Sequence, residues 1–452
     1  MVTTFSDAME RVPLRAFQIA TFAICMLVLT CDGVDALLLS IVAPKVIGDF
    51  AVDMGTFGWA MSAALVGFGI GSWGGGWLAD TIGRRWSLAI AAAVFSLATV
   101  GAATAAGVWD MAAWRLVSGL GFGSAYATAI ALAGEWLPGR WRSVAVTTLS
   151  VGTPAGGTVV GWVAPGIVAG YGWRTAFAIF GIATLLVIAL IIAVLRDSPS
   201  FLMARGKREQ AERSAARLLG KQVELLPERH ESDSPDGAAI GVLHRSNLRL
   251  NIGIGVAFTA CALVAYGILN WSATFLTGHG FTLGQAGNAV SIGGLTSIAA
   301  SIAAGVLVHR FGSKSVMATI SFSLFVVLIF FGFSVEHLPA APTAADRLQV
   351  VALMGVTAAI FSAGMASFYA MLTHGYPPAC RSAGIGFGIL MARFGAFGGS
   401  KFGGNLLAMG HGSVVPLFAV LCVSALLIST AAFVVDRHVP SARTARRVGA
   451  AA

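Results

Sequence analysis

The sequence predicts an all-α membrane protein, with twelve transmembrane helices arranged as two pseudo-symmetric six-helix bundles. Three observations lead there. The 452-residue chain is 57% hydrophobic and only 11% charged, with a mean hydropathy of +0.82, whereas a soluble domain is about 25% charged. Its apolar residues gather into runs of about 20 residues or longer, each able to cross a hydrocarbon core of about 30 Å as a helix. The basic residues between these runs collect on alternate loops, the pattern that holds such loops on the cytoplasmic side.

The runs lie at roughly 15–43, 54–79, 87–107, 110–135, 143–170, 174–195, 249–277, 285–308, 315–335, 348–374, 382–409 and 413–435. Several contain Gly or Pro, which membrane helices tolerate. With the N-terminus inside, cytoplasmic segments hold Arg11, Arg15, Arg84, Arg85, Arg140, Arg142, Arg310, Lys314, Arg381 and a tail with Arg437, Arg443, Arg446 and Arg447. The other side holds Lys45, Arg174 and Arg347. Both termini are therefore expected in the cytoplasm of a multi-pass inner-membrane protein. The net charge of +9 reports orientation and contact with anionic lipid rather than a nucleic-acid partner.

The organisation follows: an N-terminal bundle over 1–195, a cytoplasmic linker over 196–248, a C-terminal bundle over 249–436 and a basic tail over 437–452. The linker opens with an amphipathic helical stretch from Gly206 to Gly220 and turns acidic around Glu228 to Gly237, a composition that resists packing. The short basic N-terminus and long first span read as an uncleaved helix. Cys25, Cys31, Cys261, Cys380 and Cys422 show no CxxC spacing, so neither a disulfide frame nor a metal site is expected. His279, His337, His374 and His411 fall at span ends without ligand spacing. No nucleophile–base set or phosphate loop argues for an enzyme.

The short loop between spans two and three reads Gly76-Trp-Leu-Ala-Asp80-Thr-Ile-Gly83-Arg84-Arg85. Its arginines hold the loop inside, its glycines permit a tight turn, and Asp80 can pair with a cation or a helix N-terminus. The halves repeat. Gly76, Asp80, Gly83 and Arg85 align with Gly305, His309, Gly312 and Lys314, while Pro138, Arg142 and Ser143 align with Pro377, Arg381 and Ser382. Parallel repeats of this kind build a central cavity between halves. Under the second alignment Pro154 of span five falls opposite Arg393 of span eleven.

Ionisable groups inside the bilayer cost about 2.5–3.5 kcal/mol each on insertion scales, so each needs a reason. Asp32 and Asp35 lie three apart on one face of span one. Two carboxylates so close resist ionising together, which suits a proton carrier; a structural lock with Arg115 is the alternative. Arg393 lies near midplane among small and apolar residues, and its guanidinium fork fits a carboxylate, either a substrate's or an aspartate of span one. Arg115 reads as a substrate or proton-path contact or as a structural partner. Glu135 reads as a gate residue with a loop arginine, and Lys401 as a structural residue snorkelling outward. Trp271 and Phe275, with Phe368 and Tyr369, offer aromatic faces for a ring-bearing substrate or for packing.

The loop at Gly76–Arg85 resembles the signature of the major facilitator superfamily. Asp32-Gly-Val-Asp35 followed by Pro44, and the run from Tyr376 through Arg381 and Arg393 to Ala396, resemble the aromatic acid:proton symporters within it. Asp197-Ser-Pro199-Ser-Phe201 resembles that family's approach to the central loop, as well as that of sugar porters. The resemblance implies import of an aromatic carboxylate such as hydroxybenzoate, protocatechuate, benzoate or gentisate, driven by the proton gradient without a cofactor, by a chain working as a monomer. It implies roles for Asp32, Asp35, Arg115, Glu135, Arg381 and Arg393. The expected site is thus Asp32 and Asp35 for proton coupling; Arg393, Arg115, Trp271, Phe275 and Tyr369 for substrate; and Asp80, Gly83, Arg84, Arg85, Glu135, Arg142 and Arg381 as the conformational gate. Two departures stand out: His309 replaces the usual aspartate, and Lys401 stands where a small residue or proline is expected.

Two other transporter readings compete. A drug exporter would carry Gly before Pro154, where this chain has Thr153, and would not want Arg393. A sugar or polyol porter would carry more amides than Asn270, Gln285 and Asn288.

Overall fold

The computed structural model describes residues 2–10, 14–138, 148–149, 151–219, 224–226, 242–376 and 380–441. Among these residues twelve crossings are present. They are α1 (Ala16–Phe50), α2 (Met54–Ile82), α3 (Arg84–Ala102), α4 (Val108–Trp136), α5 and α6 within Gly152–Val194, α7 (Leu248–Gly278), α8 (Leu283–Phe311), α9 (Ser313–Glu336), α10 (Ala344–Gly375), α11 (Arg381–Met409) and α12 (Val415–Val434). The continuous stretch Gly152–Val194 breaks at Gly172, whose φ of 82° takes it out of helical space and splits it into 152–171 and 173–194. Only glycine adopts that conformation cheaply.

Helix ends follow local chemistry. On the face away from the chain termini, Asp53 caps α2 by accepting from the Thr56 amide at 2.8 Å, and hydrogen bonds from the Thr56 hydroxyl and amide hold the Asp53 carboxyl below its usual range. Thr282 and Thr343 open α8 and α10 with capping boxes completed by Gln285 and Asp346, each satisfying backbone donors the helix leaves free. The first crossing runs past its expected end: Pro44 lies inside α1, which continues to Phe50. A membrane helix tolerates the lost bond because neighbouring groups re-satisfy the backbone.

The packing repeats between bundles. Contacts of α1 with α5, α2 with α4 and α3 with α6 are matched by α7 with α11, α8 with α10 and α9 with α12. Across the divide α2 meets α11, α8 meets α5 and α1 meets α7. One buried apolar cluster runs through both bundles, joining Val42, Phe57 and Trp173 to Trp271, Phe331 and Leu421, while a second, with Leu88, Phe95, Trp136 and Ile191, belongs to the first bundle.

The described residues nearest the two chain ends, the described linker residues and the α2–α3 and α8–α9 turns share one face, called the termini face. There Val2–Thr4 pairs in parallel with linker residues Glu224–Leu226, Phe5 packs edge-on to Trp136 at 5.9 Å, and Ser313 donates its amide to Val439 O at 3.0 Å. The bundles touch most closely toward the opposite face, where Ser40 donates to Asn270 at 3.0 Å and Ser291 to the Thr158 carbonyl at 2.8 Å. The bundles therefore close toward the opposite face.

Candidate functional site

Between the bundles, at mid-depth, lies a cavity of about 240 Å³. Three residue pairs of the first bundle shape one wall: Asp32 and Asp35 on α1, Phe68 and Leu65 on α2, Tyr126 and Phe122 on α4. The second bundle contributes Tyr266 and Asn270 from α7, Tyr369 from α10 and Arg393 from α11. Successive wall residues on one helix stand three or four apart, as one helical face requires.

The two aspartates differ in surroundings. Asp35 is 3% exposed and ion-paired to Nη1 of Arg115; it also accepts from the Thr99 hydroxyl at 2.7 Å and the Ser118 hydroxyl at 3.4 Å. Asp32 has one hydroxyl partner, Thr153 at 3.2 Å, and among the described residues no ion pair. Gly33 makes that contact possible, since a methyl there would sit 2.0 Å from the Thr153 carbonyl oxygen. The Asp-Gly-x-Asp spacing thus places one carboxylate against a fixed cation and leaves the other to the cavity. Gly33→Ala should force α1 from α5, at the roughly 1–3 kcal/mol typical of overpacking. A lower melting temperature with loss of uptake is expected; an unchanged melting temperature would contradict the contact.

Arg393 is the other unusual group. Its guanidinium carbon stands 3.7 Å from the centroid of the Phe68 ring, Nη1 donates to the Tyr266 hydroxyl at a long 3.4 Å, and buried Nε has no partner. Among the described residues it makes no ion pair. A half-buried cation with an enclosed, vacant donor is costly unless something supplies an anion.

Several expected substrate contacts need correction. Trp271 and Phe275 do not line the cavity: Trp271 donates Nε1 to the Ser400 carbonyl at 3.0 Å, and Phe275 packs edge-on to Phe331 and Phe418 at 6.1 and 5.9 Å. They stand one position beyond the cavity-facing row of Tyr266 and Asn270, about 100° round the helix. Arg115 lines the cavity but commits its guanidinium to Asp35. Tyr369 is on the wall, whereas Phe368 turns to Phe258 at 5.4 Å. Sequence reasoning missed Phe68, Tyr126 and Tyr266; four-residue spacing from Asn270 was the signal for Tyr266.

The expected gate residues form a relay on the termini face. Arg84 bridges Asp80 at 2.9 Å and Glu135 at 2.8 Å. Gly83, at φ 101°, brings its backbone against Asp197, which accepts from the Arg85 amide at 3.1 Å. Arg85 reaches the Ile192 carbonyl. The linker secures the same loop: Arg205 donates to the Asp80 carbonyl at 2.8 Å, and Arg84 lies 5.0 Å over Phe201. The Asp80–Arg85 and Asp197–Phe201 motifs are thus two sides of one contact. In the second bundle Gly312 meets the backbone of Val439 and Ser441 instead. No ion pair involves His309 among the described residues. Arg142 lies outside the described residues, and Arg381 opens α11.

Comparison with known proteins gives the family. The model of the Major Facilitator Superfamily matches residues 24–399. The chain belongs to the major facilitator superfamily. It is a multi-pass membrane transporter rather than an enzyme. The gallate transporter of Pseudomonas putida is 27% identical over 92% of this chain and 91% of its own length. The 4-hydroxybenzoate transporter of Acinetobacter baylyi is 27% identical over 93% and 92%, and the 3-(3-hydroxy-phenyl)propionate transporter of Escherichia coli 26% over 87% and 88%. Among solved structures, a partially occluded inward open xylose transporter from E. coli superposes with a TM-score of 0.72 at 19% identity, covering 94% of this chain and 99% of that one. That likeness concerns the fold.

Proposed function

We propose that this transporter imports a small aromatic carboxylate together with protons by alternating access. The observation that carries the reading is Arg393, a half-buried guanidinium with an enclosed, unpartnered Nε and no ion pair among the described residues, set between Phe68 and Tyr266 on the wall of the cavity. Its vacant donors suit a carboxylate, and the aromatic walls suit a ring. A cavity of about 240 Å³ exceeds the roughly 150 Å³ that holds a benzene ring. The relatives named above carry aromatic acids, which supports the same class.

Asp32, facing the cavity with a single hydroxyl partner, is the proton carrier in this reading, and the Asp35–Arg115 pair fixes α1 to α4. The arginine-rich termini face is the cytoplasmic one of an inner-membrane protein in this reading. Protonation of Asp32 from outside removes a negative charge from the cavity before the carboxylate arrives, and release inward lets both leave. The functional unit is the monomer.

Binding is tested on the purified protein by thermal shift. Benzoate, 4-hydroxybenzoate and gallate should raise the melting temperature, as ligands of the folded state do, and benzamide should not. Equal stabilisation by the amide, or none by any acid, would overturn the reading.

A further inference from the structure

Lys401 stands eight positions beyond Arg393, about 12 Å along α11, at the seam that closes the opposite face. Only 6% of it is exposed. Its ammonium does not snorkel outward; it crosses to the first bundle and donates to the Gly55 carbonyl of α2 at 2.7 Å. Within its own helix it reaches only Asn405 Oδ1, at 3.3 Å, and it lies 4.8 Å from the centroid of the Trp59 ring. The backbones touch here: a methyl on Gly58 would fall 2.6 Å from the Lys401 carbonyl oxygen, and one on Gly404 2.2 Å from the Met54 carbonyl oxygen.

The repeat makes the lysine conspicuous. The symmetry-related seam, α5 against α8, is joined by the neutral bond from Ser291 to the Thr158 carbonyl. Among the described residues, the α2–α11 seam alone is held by a charged donor. No carboxylate of the second bundle pairs with Lys401 among the described residues, so parting α2 from α11 leaves the ammonium with Asn405 and whatever water enters.

We propose that Lys401 is the latch of the outer gate, holding the first turn of α2 against the last turns of α11, and that its bond to Gly55 breaks each time the cavity opens to the opposite face. Arg393 and Lys401 share one helix, seated in the second bundle where Gly395 abuts Thr259 and Gly399 abuts Leu263. The substrate anchor and the latch therefore move as one piece. The residue acts through gate position and touches no substrate in this account.

The test measures distance between bundles without any substrate, so it stands apart from the identity of the transported anion. Spin labels are placed on Ala106→Cys and Ala341→Cys, both exposed on opposite-face loops, one in each bundle, and read by pulsed electron paramagnetic resonance. The parent protein should show mainly the short distance. Lys401→Met should raise the ratio of long to short populations about ten-fold or more, the effect of losing one charge-assisted hydrogen bond. Lys401→Arg, which keeps charge and donors, should restore the short distance. Asn405→Ala, which removes the acceptor the lysine keeps when the seam parts, should shift the ratio less and in the other direction, toward the short distance. An unchanged distribution in Lys401→Met overturns the latch; if that variant does not reach the membrane, an unchanged distribution in Asn405→Ala does so.

Discussion

Alanine at Arg393 is expected to abolish saturable uptake of the carboxylate while the protein still reaches the membrane. The expectation rests on the partners the guanidinium lacks: Nε is unsatisfied and Nη1 has only the long bond to Tyr266. Removing the side chain therefore breaks no ion pair among the described residues, yet removes the cavity-lining cation that, among those residues, has no ion pair. Lysine retains the charge and loses the fork. With a charged hydrogen bond contributing about 1.5–3 kcal/mol, the lysine variant should bind the acid roughly 10- to 100-fold more weakly. Equilibrium binding of a radiolabelled acid to purified variants separates the outcomes. Unchanged affinity in a folded alanine variant would make Arg393 a structural group and return the search for an anchor to Arg115 or Lys401.

Asparagine at the two aspartates should produce two different failures. Asp32→Asn removes the proton carrier and little structure, because the aspartate makes one bond to Thr153. Exchange of labelled for unlabelled substrate should persist, and uphill accumulation should vanish. Asp35→Asn instead strands Arg115 in the first bundle. Breaking a buried pair typically costs about 3–5 kcal/mol, so this variant should melt earlier and accumulate less in the membrane. Undiminished accumulation by Asp32→Asn would remove it as the carrier, and a normal melting temperature for Asp35→Asn would deny the pair its structural part.

The fold was readable because a bilayer leaves few choices. A crossing must be long, apolar and internally hydrogen-bonded, and the break between spans five and six coincides with Gly172, as the apolar runs at 143–170 and 174–195 suggested. The ion pair of Asp35 with Arg115 was among the alternatives visible in the sequence, but nothing there separated the two aspartates. Their difference comes from Thr153 and Thr99 on other helices. Trp271 and Phe275 misled because a periodic pattern defines a face without saying which way it points, and one residue turns the assignment by about 100°. Lys401 misled differently: a long side chain near a span end usually snorkels to water, and only the proximity of Gly55 on the neighbouring bundle draws it across. The pairing of Val2–Thr4 with Glu224–Leu226 had no local signal, since each strand is three residues long and its partner is remote in sequence.

The most direct measurement is accumulation of a radiolabelled aromatic acid in proteoliposomes under an imposed pH gradient, acidic outside. The account predicts transient uphill accumulation that a protonophore collapses, that the Arg393→Ala protein lacks, and that the Asp32→Asn protein replaces with exchange alone. Accumulation indifferent to the gradient, or equal in the Asp32→Asn protein, would contradict proton-coupled import through this cavity.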